Sequence, residues 1–285
     1  MRWQSGRRSS NVEDRRGMRA GPAGGIGLAG LLVVLGLAWL MGADPRQLLQ
    51  LLSQTSPAED VGPAPPPPSG AADPQADFVS VVLADTEDTW TRLLGAQGGR
   101  YEPPRLVLFS DAVQSACGLG SAAVGPFYCP ADRKVYIDLG FFRELDERFG
   151  APGDFAQAYV VAHEVGHHVQ NLLGIADKVD AARAESTTGD ANALSVRMEL
   201  QADCLAGVWA HHAAAQRQML EEGDVEEGLR AAAAIGDDTL QRRAQGRVAP
   251  ESWTHGSSEQ RMSWFTRGLQ SGRMDACDTF AGSTR

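Results

Sequence analysis

The chain has 285 residues, 43% of them hydrophobic, and a formal net charge of −10. That is enough for one good core with a tail, in an ordinary globular composition. The charge is uneven: residues 1–25 carry six Arg against Glu13 and Asp14, residues 26–42 carry none, and the rest is strongly acidic. An acidic domain argues against nucleic-acid backbone binding, and it identifies no substrate.

Residues 1–25 are polar and rich in Gly and Arg, which predicts a disordered tail. Ile26–Gly42 is uninterrupted by polar side chains and nearly long enough to span a bilayer as a helix. Arginines precede it and are sparse after it. The positive-inside rule then predicts one transmembrane helix, with the N-terminus cytoplasmic and the remainder outside a bacterial cell membrane. A cleaved signal peptide is the alternative. It fits less well, because the charged region is long and no small-x-small cleavage site follows. Residues 43–76 read as a linker stiffened by Pro63, Pro65, Pro66, Pro67 and Pro68.

The domain is expected over 77–285. Phe78, Val81, Val82, Trp90, Leu93 and Leu94 recur at helical spacing, so 77–94 reads as an amphipathic helix with Trp90 in the core. Short strands follow: Arg105–Phe109, Ala122–Tyr128 and Lys134–Leu139, the last two flanking a turn at Cys129–Arg133. Val135 and Ile137 alternate with Tyr136 and Asp138, as on a half-buried strand. An edge strand there can pair with an extended substrate, and Ala122–Tyr128 or Lys134–Leu139 is the candidate.

Asp154–Leu173 reads as a helix, with Gly174 as its stop. It carries His163-Glu164-Val165-Gly166-His167, an H-E-x-x-H motif. Residues four apart share one helix face, so the two imidazoles can chelate one zinc ion. Glu164 lies near that face and can serve as general base toward a water activated by the metal. An incidental pair of surface histidines is the bland reading, and the apolar flanks Phe155, Tyr159, Val160 and Val161 speak against it. A third ligand is needed. Leu173 stands where a metzincin would have its third His, so a carboxylate is expected.

Residues 176–192 read as a loop over the cleft. A second helix, 193–220, carries Glu199, 32 residues past His167, and Asp203 one turn further on. Glu199 is the expected third ligand. Asp203 can accept the Nδ1–H of a ligating His. A solvated acidic pair is the alternative, but the neighbours Leu200, Ala202, Leu205, Val208 and Trp209 are apolar. His168 falls on another face and His211 and His212 lie too far along the helix to share the site. Gly166 and Gly207 would let the two site helices approach closely. Residues 225–245 read as a helix broken near Gly236, and 257–271 as a last helix capped by Ser257 or Ser258. His255, in the loop before it, is the candidate for stabilising an oxyanion; a cap or core role is equally open.

Cys117, Cys129, Cys204 and Cys277 are the four cysteines. An even count in an exported chain suggests two disulfides, with three possible connectivities. Cys117–Cys129 would close a short β loop, and Cys204–Cys277 would pin the C-terminal tail to the helix of Glu199. Free buried thiols or further metal ligands are the alternatives, although no C-x-x-C is present.

H-E-x-x-H followed by E-x-x-x-D resembles the gluzincin metallopeptidases. Arg2-Trp3-Gln4, Val124–Pro130 (VGPFYCP), Val135–Asp138 (VYID), Glu199–Cys204 (ELQADC) and His255–Arg261 (HGSSEQR) extend the resemblance to the bacterial family of putative neutral zinc metallopeptidases. It covers the tail, the apolar run and nearly everything after Asp77. It implies a zincin-like α+β domain with a small antiparallel sheet and several helices behind a single membrane helix. It also implies one zinc ion and a peptide or protein substrate. Two functional readings stand. One is a membrane-anchored zinc endopeptidase; the other is a zinc-stabilised envelope-binding domain whose peptidase chemistry is lost or latent. The sequence is silent on oligomeric state.

Overall fold

The computed structural model describes residues 1–17, 73–122 and 125–281. Its residues fall into two units: Met1–Arg15 with Ala71–Arg285, and Arg16–Gly70. The apolar run 26–42 and most of the Pro-rich linker lie outside the described residues. Among the described residues no helix is long and apolar enough to cross a membrane.

The N-terminal segment corrects the expectation of a disordered tail. Val12–Asp14 forms β1, which pairs in parallel with β2 (Arg105–Phe109), Val12 opposite Leu106 and Asp14 opposite Leu108. Upstream, the segment lies along α1 (Pro74–Ala96). Trp3 packs edge-on against Phe78 at 5.3 Å. Arg8 grips Asp77 at 2.6 and 2.8 Å, and Arg7 reaches Glu87 at 2.9 Å and Asp88 at 2.7 Å. The Met1 ammonium sits 2.9 Å from Asp154 and 3.4 Å from Asp224. Polar composition misled here. These arginines are spent on carboxylates of α1 rather than on water, and the few apolar residues between them are enough to dock the segment.

The sheet is mixed rather than antiparallel, in the order β1-β2-β6-β5. β6 (Lys134–Asp138) runs parallel to β2, and only β5 (Phe127–Cys129) is antiparallel to it. A separate hairpin, β3 (Ala112–Ser115) with β4 (Gly118–Ser121), lies between β2 and β5 in the chain. Leu106, Leu108, Val135 and Ile137 face the main core, while Val107, Phe109 and Tyr136 close a second, smaller cluster with Val113 and Cys129. Tyr136 is therefore buried rather than exposed on a half-wet strand. Both faces of the parallel pair are covered, as parallel strands require.

Among the described residues the further α-helices are α2 (Gly140–Glu147), α3 (Asp154–Leu172), α4 (Ile175–Ala184), α5 (Thr188–Arg217), α6 (Asp224–Ala234), α7 (Asp237–Gln245) and α8 (Ser258–Ser271). The break at Gly236 and the Ser257 cap are as expected; Ser257 and Gln260 close a capping box. The expected loop at 176–192 is instead α4 and the first turn of α5, joined through the Thr187 N-cap. Its charged residues are the exposed faces of those helices. Both disulfides form as preferred, Cys117–Cys129 and Cys204–Cys277.

Candidate metal centre and cleft

α3 and α5 cross beside each other because Gly166 has no side chain. A Cβ there would stand 3.0 Å from the carbonyl oxygen of Ala202. Gly207 does not share that role: its open side faces Phe265 and Leu269 of α8. The crossing places His163 and His167 of α3 against Glu199 of α5. His163 Nε2 is 3.1 Å from Glu199 Oε2, and His167 Nε2 is 3.4 Å from Oε1. The three side chains offer ligand atoms within 4.8 Å of one another, and the imidazole planes stand perpendicular at 4.8 Å between centroids. Two imidazole nitrogens and one carboxylate oxygen converging from two helices form a donor set that suits zinc.

The outer nitrogens of both rings are occupied. His163 Nδ1 lies 2.9 Å from Asp203 Oδ1, so Asp203 takes the predicted orienting position. Asp203 is fully buried and does not stand alone. Arg261 of α8 clamps it with Nε at 2.8 Å and Nη2 at 3.0 Å, and the Tyr159 hydroxyl donates to it as well. Burial opposes the charge on Asp203, but Arg261 and His163 hold its carboxyl below the usual range. Burial also opposes charge on His163, yet Asp203 and Glu199 push it up to about 10. Glu199 is likewise held well below its normal value by both histidines, against its burial. His167 Nδ1 lies 2.9 Å from the side-chain oxygen of Gln170.

Glu164 is 7% exposed and lines the cleft, where burial pushes its carboxyl above its ordinary value. The cleft has a volume of about 1010 Å³. Its walls include Phe127 and Tyr128 of β5, Phe141, Phe149, Met198, Arg243 and His255. β6 lies inside the sheet between β2 and β5, so its backbone is already paired; of the two candidate strands only the segment ending in β5 keeps an edge unpaired among the described residues. Ala122 itself is outside β5.

His255 reaches the cleft with its side chain 49% exposed. Its Nδ1 is 3.2 Å from Asp237 Oδ1, while the backbone N–H groups of Thr254, His255 and Gly256 donate to Asp237 Oδ2 at 2.8, 2.7 and 3.0 Å. The hydrogen bond to Asp237 raises the His255 pKa. The other histidines are structural. His168 joins the Tyr128 hydroxyl at 3.0 Å to the Glu102 carbonyl at 2.7 Å, and burial pushes it down to about 4. His211 and His212 bond the carbonyls of Leu269 and Gly272. A second acidic group, Asp154, Asp224 and Glu227, is already engaged: the Met1 ammonium contacts the first two and Glu227 accepts the Phe155 N–H at 3.1 Å.

Arg261, Tyr159, Gln170, Gln201 and Asp237 were not found from the sequence as members of the site. Arg261 left one signal, a cation just ahead of the apolar Met262, Trp264 and Phe265 in a helix bound for the core. The glutamines left none.

The family model described as putative neutral zinc metallopeptidase matches residues 1–280. Uncharacterized protein YpfJ of Escherichia coli (strain K12) is 49% identical over 294 residues, covering 99% of this chain and 100% of that protein. Uncharacterized protein Rv2575 of Mycobacterium tuberculosis (strain ATCC 25618 / H37Rv) is 41% identical over 264 residues, 86% of each chain. No solved structure gives a significant match.

Proposed function

Because the chain belongs to the putative neutral zinc metallopeptidase family, we propose that it is a zinc-dependent peptidase acting on peptide bonds within a protein or peptide chain. The observation that carries this reading is the convergence of His163, His167 and Glu199 beside a buried Glu164 at the wall of an open cleft. A structural zinc site needs no such base.

His163, His167 and Glu199 would hold one zinc ion, which when bound supplies Lewis acidity toward a water and a scissile carbonyl. Glu164 takes the proton from the attacking water and delivers it to the leaving amine; its raised pKa suits a group that must both accept and release. His255, oriented by Asp237, whose hydrogen bond favours the charged imidazole, would face the developing oxyanion. The free edge of β5 takes the substrate backbone in extended form, and Phe127, Tyr128, Phe141 and Phe149 offer apolar contact to its side chains.

The test uses the purified full chain, assayed for bound zinc and against a peptide mixture. Glu164→Gln is expected to keep zinc and lose cleavage by about 10²–10⁴-fold. Equal cleavage by both proteins would end the assignment. Zinc bound without cleavage by either would favour the envelope-binding domain. Zinc held at unchanged affinity by Glu199→Ala would remove Glu199 from the ligand set.

The placement in the cell belongs to the same proposal. Two disulfides fit an oxidising, extracytoplasmic setting. The pairing of β1 with β2 adds a condition. One crossing by 26–42 would put these two strands on opposite sides of the membrane. In this reading residues 1–14 and the cleft share a side, in place of the N-terminus-inside arrangement. Ser5→Cys and Thr188→Cys, both at exposed positions, should react alike with a membrane-impermeant maleimide on intact cells. Labelling of Thr188→Cys alone would restore the single crossing.

A further inference from the structure

His167 is one turn from His163 but is held by different chemistry, and its partners form a line of amides. His167 Nδ1 is 2.9 Å from Gln170 Oε1. Gln170 Nε2 donates to the Met198 carbonyl at 2.8 Å and to Gln201 Oε1 at 3.0 Å. Gln201 Nε2 donates to the Cys277 carbonyl at 2.9 Å. Gln170 is fully buried and Gln201 is 7% exposed, so water does not compete for these groups.

The polarity of this line is fixed from its far end. A backbone carbonyl only accepts, so Gln201 must turn its NH₂ toward Cys277 and its oxygen toward Gln170. Gln170 must then present its NH₂ to Gln201 and to Met198, a second carbonyl that also only accepts. Its remaining oxygen is an acceptor and requires a proton on His167 Nδ1. The relay thereby favours the neutral tautomer whose Nε2 carries a lone pair, in competition with Glu199 Oε1, a second acceptor 3.4 Å from Nε2. The Met198 contact ties α3 to the residue preceding Glu199, so the same amide sets the third ligand's helix against the first two. The far anchor is itself fixed: Cys277 is bonded to Cys204 of α5, and Thr279 donates to the Arg197 carbonyl at 2.8 Å.

We propose that Gln170 and Gln201 are positioning residues of the metal centre, an amide relay through which the disulfide-stapled C-terminal segment sets the tautomer and aim of His167. The relay rests on the zinc reading of His163, His167 and Glu199, and predicts behaviour that a merely structural glutamine would not show.

The experiment is a zinc competition titration with a chromophoric chelator on the full chain, its Gln170→Leu, Gln201→Leu and double variants, and Gln170→Glu. Gln170→Leu is expected to weaken zinc about 10–100-fold. Gln201→Leu is expected to lose less, because Gln170 keeps Met198, and the double variant no more than Gln170→Leu, because the two act in series. Gln170→Glu keeps the shape and the acceptor for His167 but no donor for the two acceptors behind it, and should fall between. The ¹⁵N spectrum of metal-free wild type at alkaline pH should show His167 with its proton on Nδ1, and Gln170→Leu should lose that preference. A proton on Nε2 in wild type, additive losses in the double variant, or zinc affinity within twofold of wild type in Gln170→Leu would overturn the relay. If wild type binds no zinc, the metal reading fails, and the ¹⁵N measurement still decides the relay.

Discussion

The two histidines of one motif are supported in opposite ways. Behind His163 lies a buried charged network: Asp203, clamped by Arg261 and joined by Tyr159. Behind His167 lies a neutral chain of two amides ending on a backbone carbonyl. The charged side concentrates energy in one place, since a buried carboxylate is costly without its cation and favourable only with all partners present. The neutral side carries little electrostatic cost and fixes direction through donor and acceptor identity alone. One imidazole is thus held mainly by charge and the other mainly by hydrogen-bond polarity.

Removing Arg261 should hurt most. Arg261→Met leaves Asp203 buried without its guanidinium clamp, and should lower unfolding free energy by about 3–5 kcal/mol, read by denaturant titration. Gln201→Leu, read the same way, should cost about 1–3 kcal/mol, the scale of an unsatisfied buried polar group. Equal losses would erase the distinction between the two sides.

The disulfide sharpens the neutral side. Cys204→Ala with Cys277→Ala opens a bridge spanning 73 residues, worth about 4 kcal/mol if chain entropy dominates. Beyond that loss, zinc affinity should fall in the folded protein and the fall should vanish in a Gln170→Leu background. A fall of the same size in both backgrounds would show that the staple does not act through His167.

The smallest effect concerns the cleft. His255 has its pKa raised above its ordinary 6.5 by Asp237. Its charged form therefore supports the fold below about pH 6.5, and that contribution disappears as pH rises through the folded value. Asp237 is shifted downward; burial opposes this and its bonds to the His255 loop outweigh burial. Its contribution is present above its unfolded value and is lost as pH falls through the folded one. Removing the carboxylate lowers the His255 pKa, so Asp237→Asn should move the alkaline limb of kcat/KM to lower pH, by an amount set by the His255 shift. An unmoved limb would take His255 out of the oxyanion role.

Much of this site was legible in the chain because its signals are local. The His163–His167 spacing is a property of helix periodicity, and Glu199 with Asp203 repeats the logic two helices later. The disulfide pairs and the break at Gly236 were equally open to sequence reasoning. Arg261 and Asp237 were harder: each lies far along the chain from the group it serves, and Asp237 stands inside an ordinary helix start.

The N-terminal arginines show the limit most plainly. Composition reads Arg7 and Arg8 as part of a solvated tail, yet their partners Asp77, Glu87 and Asp88 are on a helix some seventy or more residues on. The sequence by itself determined the helix of H-E-x-x-H, the expectation of a carboxylate partner for its two histidines and the acidic domain. Only the tertiary structure decided that β1 joins the sheet, that Arg261 neutralises Asp203, and that two glutamines aim His167. The physical reason is range: periodicity and ligand chemistry are written within a few residues, whereas the partner of a buried polar group is chosen by whichever distant segment packs against it.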